Sequence, residues 1–240
     1  MTEASSALQV PAGYQRGVRF GAIWTMVCSP YLILYFILII AIGGLVDNGG
    51  MAQTLDFAGN SPLRFDITNF LDGLFHALFI VPVVALYAIL RSNWPVRASL
   101  LLVAGAWQML MGFTKALITI MSFNQLGSAY IHGEAAMRAV LIPMAASQDG
   151  LRMALQWMDS LGVLCVWVLV SVLPEEAGLP RAVRWLGWIM AAAILSPDPA
   201  FLLVVLLSPA WLFMLGRWMK RLVPAPEQIA QPQTRAETGY

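Results

Sequence analysis

Asp72, His76, Lys115 and Asp159 are ionisable side chains set in runs of sequence otherwise apolar enough to dissolve in lipid. A charge in hydrocarbon costs several kcal/mol unless it is paired or wetted, so these four are the leading functional residues. Their spacing assigns them to faces. Asn69, Asp72 and His76 stand at i, i+3 and i+7, which puts all three on one side of a helix. Gln108, Lys115 and Ser122 recur at seven-residue intervals, again on one side. Arg152, Gln156, Asp159 and Ser160 make a third polar stripe.

Two acids, an amine and an imidazole form ion pairs and share protons. Lys115 is expected to pair with Asp72 or with Asp159. One cation against two carboxylates leaves one negative charge over, which a proton on an aspartate or on His76 neutralises. Three readings are open: an ion pair that fixes helix register, a proton- or ion-coupled pathway, and a pocket for a lipid or other small molecule. A membrane-embedded enzyme is a further alternative, without a motif to support it. There is no G-x-S-x-G and no H-E-x-x-H. Asp72 and His76 offer a metal two ligands on one face and Asp159 a third. The only other histidine, His132, falls in a predicted loop, and iron or copper sites usually want more imidazole. Haem between helices needs paired histidines, and a Schiff base on Lys115 needs a longer bundle. No cofactor and no metal is implied.

The elements that must position these residues are membrane helices. Of 240 residues, 59% are hydrophobic and 11% charged. Soluble domains carry about 25% charged residues, and 11% is too few to cover a water-facing surface of this size. Lipid supplies the missing solvent, and the net charge of +1 gives no field for nucleic acid. Crossing about 30 Å of hydrocarbon takes about twenty apolar residues. Four runs qualify: Val18 to Val46, Ile67 to Leu90, Leu100 to Phe123 and Arg152 to Leu173. Pro30 predicts a kink in the first. Two shorter runs, Pro180 to Leu195 and Phe201 to Gly216, flank a break at Ser196-Pro197-Asp198-Pro199 and read as a hairpin of two thin spans. No cleavable signal peptide is evident, because the first apolar run is too long and lacks a small-x-small site.

The basic residues orient the chain. Arg16, Arg19, Arg91, Arg97, Arg181, Arg184, Arg217, Lys220, Arg221 and Arg235 fall on one side of a six-span layout, against Arg64, Arg138 and Arg152 on the other. The positive-inside rule then puts both termini in the cytoplasm of a cell bounded by this membrane, the plasma (inner) membrane. In that layout Asp72, His76, Lys115 and Asp159 lie about 8, 13, 12 and 10 Å below the outer interface. They share one slab, so the three stripes are expected to face each other inside the bundle, with Asn69, Gln108, Gln156 and Ser160 as supporting polar groups.

The expected domain plan is a cytoplasmic segment at 1–17, a six-helix transmembrane domain at 18–218 and a flexible cytoplasmic tail at 219–240. Asp47-Asn48-Gly49-Gly50 signals a turn in the first outer loop. In the second, Gly133 to Ile142 reads as a short helix on the membrane surface, ended by Pro143. Cys28 and Cys165 lie in apolar spans with no C-x-x-C or zinc spacing and read as packing residues. Gly187-x-x-x-Ala191 is a small-xxx-small pair that brings helices close.

One resemblance bears on this layout. The second span ends in Val83-Val84-Ala85-Leu86-Tyr87-Ala88-Ile89-Leu90-Arg91, with Asp72 thirteen residues before Ala85. The connection before the fifth run reads Leu179-Pro180-Arg181 and then Trp185-Leu186-Gly187. Over residues 18 to 218 the chain thereby resembles a prokaryotic six-span membrane-protein family catalogued as a domain of unknown function, of the DUF4386 type. That family has a similar acidic residue before an Ala-Leu-Tyr-Pro-x-Leu-Arg/Lys run and a similar Pro-Arg-Trp-Leu turn. This chain has Ala88 in place of the proline and inserts Ala182-Val183-Arg184 before Trp185. The resemblance implies an all-α membrane fold and no known activity, and it carries over Asp72 alone. The function expected is that of a non-enzymatic integral membrane protein, in contact with the lipid bilayer and with a membrane-protein partner or a second copy. A small proton- or ion-coupled transporter is the alternative.

Overall fold

The computed structural model describes residues 8, 10–42, 50–195 and 201–223. Every regular element among them is helical: α1 (Gln15–Ile42), α2 (Gly50–Asn60), α3 (Pro62–Leu78), α4 (Ile80–Leu90), α5 (Pro95–His132), α6 (Ala135–Ser171), α7 (Arg181–Ile194) and α8 (Phe201–Arg221). Five stretches are long and apolar enough to cross a membrane: Ala12–Leu38, Pro62–Leu90, Pro95–His132, Ala135–Ser171 and Leu203–Arg221. The outward faces match that reading. Ile33, Leu34 and Ile37 on α1, Val103 and Leu110 on α5, Trp157 and Leu161 on α6 and Leu206 on α8 are all exposed. So much bare apolar surface is stable in lipid and not in water.

The helices close into a ring in which α8, α1, the α3–α4 pair, α5, α6 and α7 each pack on the next, and α7 returns to α8. Proline opens two of them. Pro62 and Pro95 sit in the first turns of α3 and α5, where a missing N–H costs nothing. Pro82 does the opposite. It has no N–H for the carbonyl of Leu78, four residues back, and the helix expected to run unbroken through Ile67 to Leu90 is interrupted at Phe79. Pro30, by contrast, lies inside an uninterrupted α1.

The core is densest toward the chain-terminal end of the ring. There Leu86, Ile89 and Leu90 of α4, Leu101 of α5, Leu173 after α6, and Leu215 and Met219 of α8 are fully buried. Contacts between distant residues mark this end. The Arg91 guanidinium donates to the Tyr14 hydroxyl (2.7 Å), and the Trp218 indole to the carbonyl of Ala177 (3.2 Å). Arg184 donates to the carbonyl of Pro174 (2.9 Å). Leu8 and Val10 are buried in the same core, so this part of the N-terminal segment is packed rather than free. α8 likewise continues to Arg221, beyond the Gly216 boundary expected from the sequence, with Met219 and Val223 buried. Gly187 and Ala191 are both buried, and Gly187 lies against Ser171 and Trp167 of α6.

The opposite end departs from expectation. In place of a first outer loop and of a second loop carrying a short helix, α2 forms at Gly50–Asn60, α5 runs on to His132 and α6 begins at Ala135, so Ala135 to Ile142 are helical but belong to one long helix. With 38 and 37 residues, α5 and α6 are each about 56 Å long, well beyond about 30 Å of hydrocarbon. Pro143 lies inside α6 and does not end a surface helix. Packing explains the difference. α2 lies on α5, and a second small core of Leu55, Ala58, Phe65, Phe123, Leu141 and Ala145 joins α2, α3, α5 and α6. Gly59 and Gly127 let the α2 and α5 backbones touch, since a Cβ on Gly59 would stand 2.5 Å from the carbonyl oxygen of Gly127. Three expected features, the turn at Asp47-Asn48-Gly49, the break at Ser196 to Pro199 and the tail past Val223, lie outside the described residues.

Candidate functional site

Each polar stripe turns inward. α3 carries Asn69, Asp72 and His76, α5 carries Gln108 and Lys115, and α6 carries Gln156, Asp159 and Ser160. Lys115 meets Asp72, with Nζ 2.6 Å from Oδ2, and donates a second bond to Gln156 Oε1 at 2.7 Å. Asp159 pairs with His76, whose Nδ1 is 3.1 Å from its Oδ1. The other ring nitrogen, Nε2, lies 3.6 Å from Asp72 Oδ1. The four groups form a chain: Asp159, His76, Asp72, Lys115.

The imidazole is held by its surroundings. Its Nδ1 is 3.5 Å from Gln108 Nε2, and its ring stands edge-on to Phe75 at 5.7 Å between centroids. On the α5 side it rests on Gly112, where any side chain would strike the ring. Gln156 extends the network weakly, its Nε2 lying 3.5 Å from Ser160 Oγ. Asn69 does not join it and bonds back to the carbonyl of Phe65 at 2.9 Å.

Burial makes the arrangement consequential. Asp159 is 2% exposed, Gln108 1%, His76 7% and Lys115 7%. Asp159 Oδ1 and Gln108 Oε1 are buried with no aligned hydrogen-bond donor. His76 turns its two nitrogens to acids on opposite sides, so the three groups do not converge on one point. Accordingly no three His, Cys, Asp or Glu side chains among the described residues are grouped to hold a metal ion.

A cavity of about 400 Å³ opens onto this cluster. Its polar wall includes Asp72, His76, Gln108, Lys115, Gln156 and Asp159, with Thr68, Asn69, Arg152 and Ser160. Arg152 is itself held by Asp149, Nε to Oδ1, at 2.7 Å. The other wall is apolar and aromatic; Phe75, Phe79, Val163 and Trp167 belong to it, and the remainder comes from elements without a polar stripe. α1 gives Leu32, Tyr35 and Phe36, the end of α7 gives Ile194, and α8 gives Val204, Val205, Ser208, Trp211 and Leu212.

Comparison with protein-family models, with curated proteins and with solved structures finds no match for this chain. Its chemistry is therefore read from the site alone. Sequence reasoning missed Tyr35, whose hydroxyl donates to Asp72 Oδ1 at 3.1 Å, and Tyr31, which donates to the carbonyl of Leu71 at 2.9 Å. The signal was two tyrosines four residues apart in an otherwise apolar run, one helical face again.

Proposed function

We propose that this chain is a binder or carrier of a small solute, not an enzyme, with occupancy of its cavity coupled to a proton on the Asp159–His76–Asp72–Lys115 chain. The observation that carries the reading is the coincidence of the buried ionisable cluster with the cavity. An ion pair that only fixes register needs no empty space beside it, and protein interiors are close-packed with few voids larger than a water molecule. A cavity of about 400 Å³ with convergent polar groups falls in the size range of ligand sites.

The finer topology belongs to the same reading. Taking α7, about 21 Å long, as a thin sixth span gives an even number of crossings. The ends marked by Arg16, Arg91, Arg181 and Arg217 are then cytoplasmic, in the plasma membrane of a prokaryote. The cavity opens toward the outer side, and the packed end of the ring closes the inner one. The resemblance to the six-span family of unknown function fits that layout, as does a membrane-protein partner or second copy against the lipid-facing helices.

Cysteine accessibility tests the reading. With Cys28 and Cys165 replaced by alanine, Ser208→Cys should react with a small membrane-impermeant cationic methanethiosulfonate from outside intact cells. Leu86→Cys, in the packed end, should not. A Ser208→Cys thiol that stays unreactive from both sides would show that no wetted path reaches the cavity, and the carrier reading would be abandoned.

A further inference from the structure

The charges and rings around the cavity specify its ligand more narrowly. Every titratable or charged group facing His76 can be named. Asp72 lies on its own helix, Lys115 on α5, Asp159 on α6 and the Tyr35 hydroxyl on α1; the Arg152–Asp149 pair on α6 stands farther along the cavity wall and is self-neutralising. Lys115 is spent on Asp72. Asp159 is left as a buried carboxylate that meets His76 alone, Oδ1 to Nδ1 at 3.1 Å, and has no fixed cation of its own. The cluster is neutral only when one more positive charge is present, either a proton on His76 or a cation from outside.

The rest of the lining suits a cation with an apolar body. Tyr35, Phe36, Phe75, Phe79, Trp167 and Trp211 surround the space beside the two acids. Aromatic faces attract a positive charge through the ring quadrupole, and more strongly where water is excluded. An anion would meet two carboxylates there, with both basic groups already paired.

We propose that the cavity takes a monovalent lipophilic organic cation in exchange for the proton shared by His76 and Asp159. This rests on the reading of the cavity as a solute site. The exchange balances. The cation enters, the His76 proton leaves to water, His76 becomes neutral and the charge of the site is unchanged. No bond to the ligand forms, and no other reactant takes part.

The test uses the wild-type protein in lipid nanodiscs, with empty nanodiscs as the blank, and a matched pair of probes. Tetraphenylphosphonium and tetraphenylborate have the same shape and opposite charge. Titration calorimetry should show tetraphenylphosphonium binding at least tenfold tighter than tetraphenylborate after correction for lipid partitioning. A dye in weakly buffered solution should report about one proton released per cation bound, and cation affinity should weaken as pH falls. Asp159→Asn should abolish the proton release and the preference for the cation; the wild-type measurements decide the matter even if that variant fails to fold. Equal affinity for the two probes, preference for the borate, or cation binding without proton release overturns the inference. It falls alone if Ser208→Cys is still accessible from outside, and together with the carrier reading if that thiol is inert.

Discussion

The two ends of the membrane ring share α1, α5, α6 and α8 and are packed in opposite ways. Toward the chain termini, α4, α5 and α8 contribute Leu86, Ile89, Leu101, Leu215 and Met219, all fully buried in one apolar plug. Farther along, α3, α5 and α6 contribute Asp72, Lys115 and Asp159, and a cavity of about 400 Å³ remains among them. α1 takes part in both, packing on α4 at the plug and on α3 beside the charges. Closure is the default for apolar side chains, and space persists where polar groups need partners that the protein does not supply. The contrast places a seal and a site in series along one axis.

The comparison breaks most visibly if the charges lose their partners. Lys115→Met leaves Asp72 with Tyr35 and His76 only, and should lower stability by about 3–5 kcal/mol, read as a drop in Tm in detergent. Adding Asp72→Asn should recover most of that loss, since the double variant buries no uncompensated charge. In the plug, Leu86→Ala removes fully packed atoms and should cost about 2–5 kcal/mol by the same measurement, with no effect on tetraphenylphosphonium binding. Gly112→Ala sharpens the distinction. Its methyl group meets the His76 ring, so a stability loss of about 1–3 kcal/mol should accompany loss of coupled proton release. Tyr35→Phe should have the smallest effect, about 0.5–1.5 kcal/mol, because Asp72 keeps Lys115 and loses one neutral hydrogen bond.

Much of the site was legible because helical periodicity is a one-dimensional signal. Asp72 and His76 stand four apart, and Asp159 and Lys115 fall at matching depths once the spans are aligned, so their meeting follows from pitch and direction. The aromatic half of the cavity was not legible in the same way. Phe36, Trp167 and Trp211 carry no mark separating a cavity wall from lipid-facing surface, and only the three-dimensional arrangement tells them apart. The extension beyond the membrane was missed for a related reason. Residues 124 to 150 read as a loop with one short surface helix at Gly133 to Ile142, and what joins them into two long helices is α2, a partner distant in sequence that covers Phe123 and Leu141. Pro82 was visible throughout, but its effect depends on the helix around it: Pro30 and Pro143 sit inside helices that continue.

Pro82 leaves a gap in the hydrogen-bond ladder beside Phe79, and that residue is the point about which α3 would tilt as a lever. Asp72 lies seven residues from that fulcrum and His76 three, about 10 Å and about 4.5 Å along the axis. A tilt of about 10° would carry Asp72 by about 2 Å and His76 by under about 1 Å. A tilt away from α5 would therefore lengthen the Asp72–Lys115 pair by more than the His76–Asp159 pair.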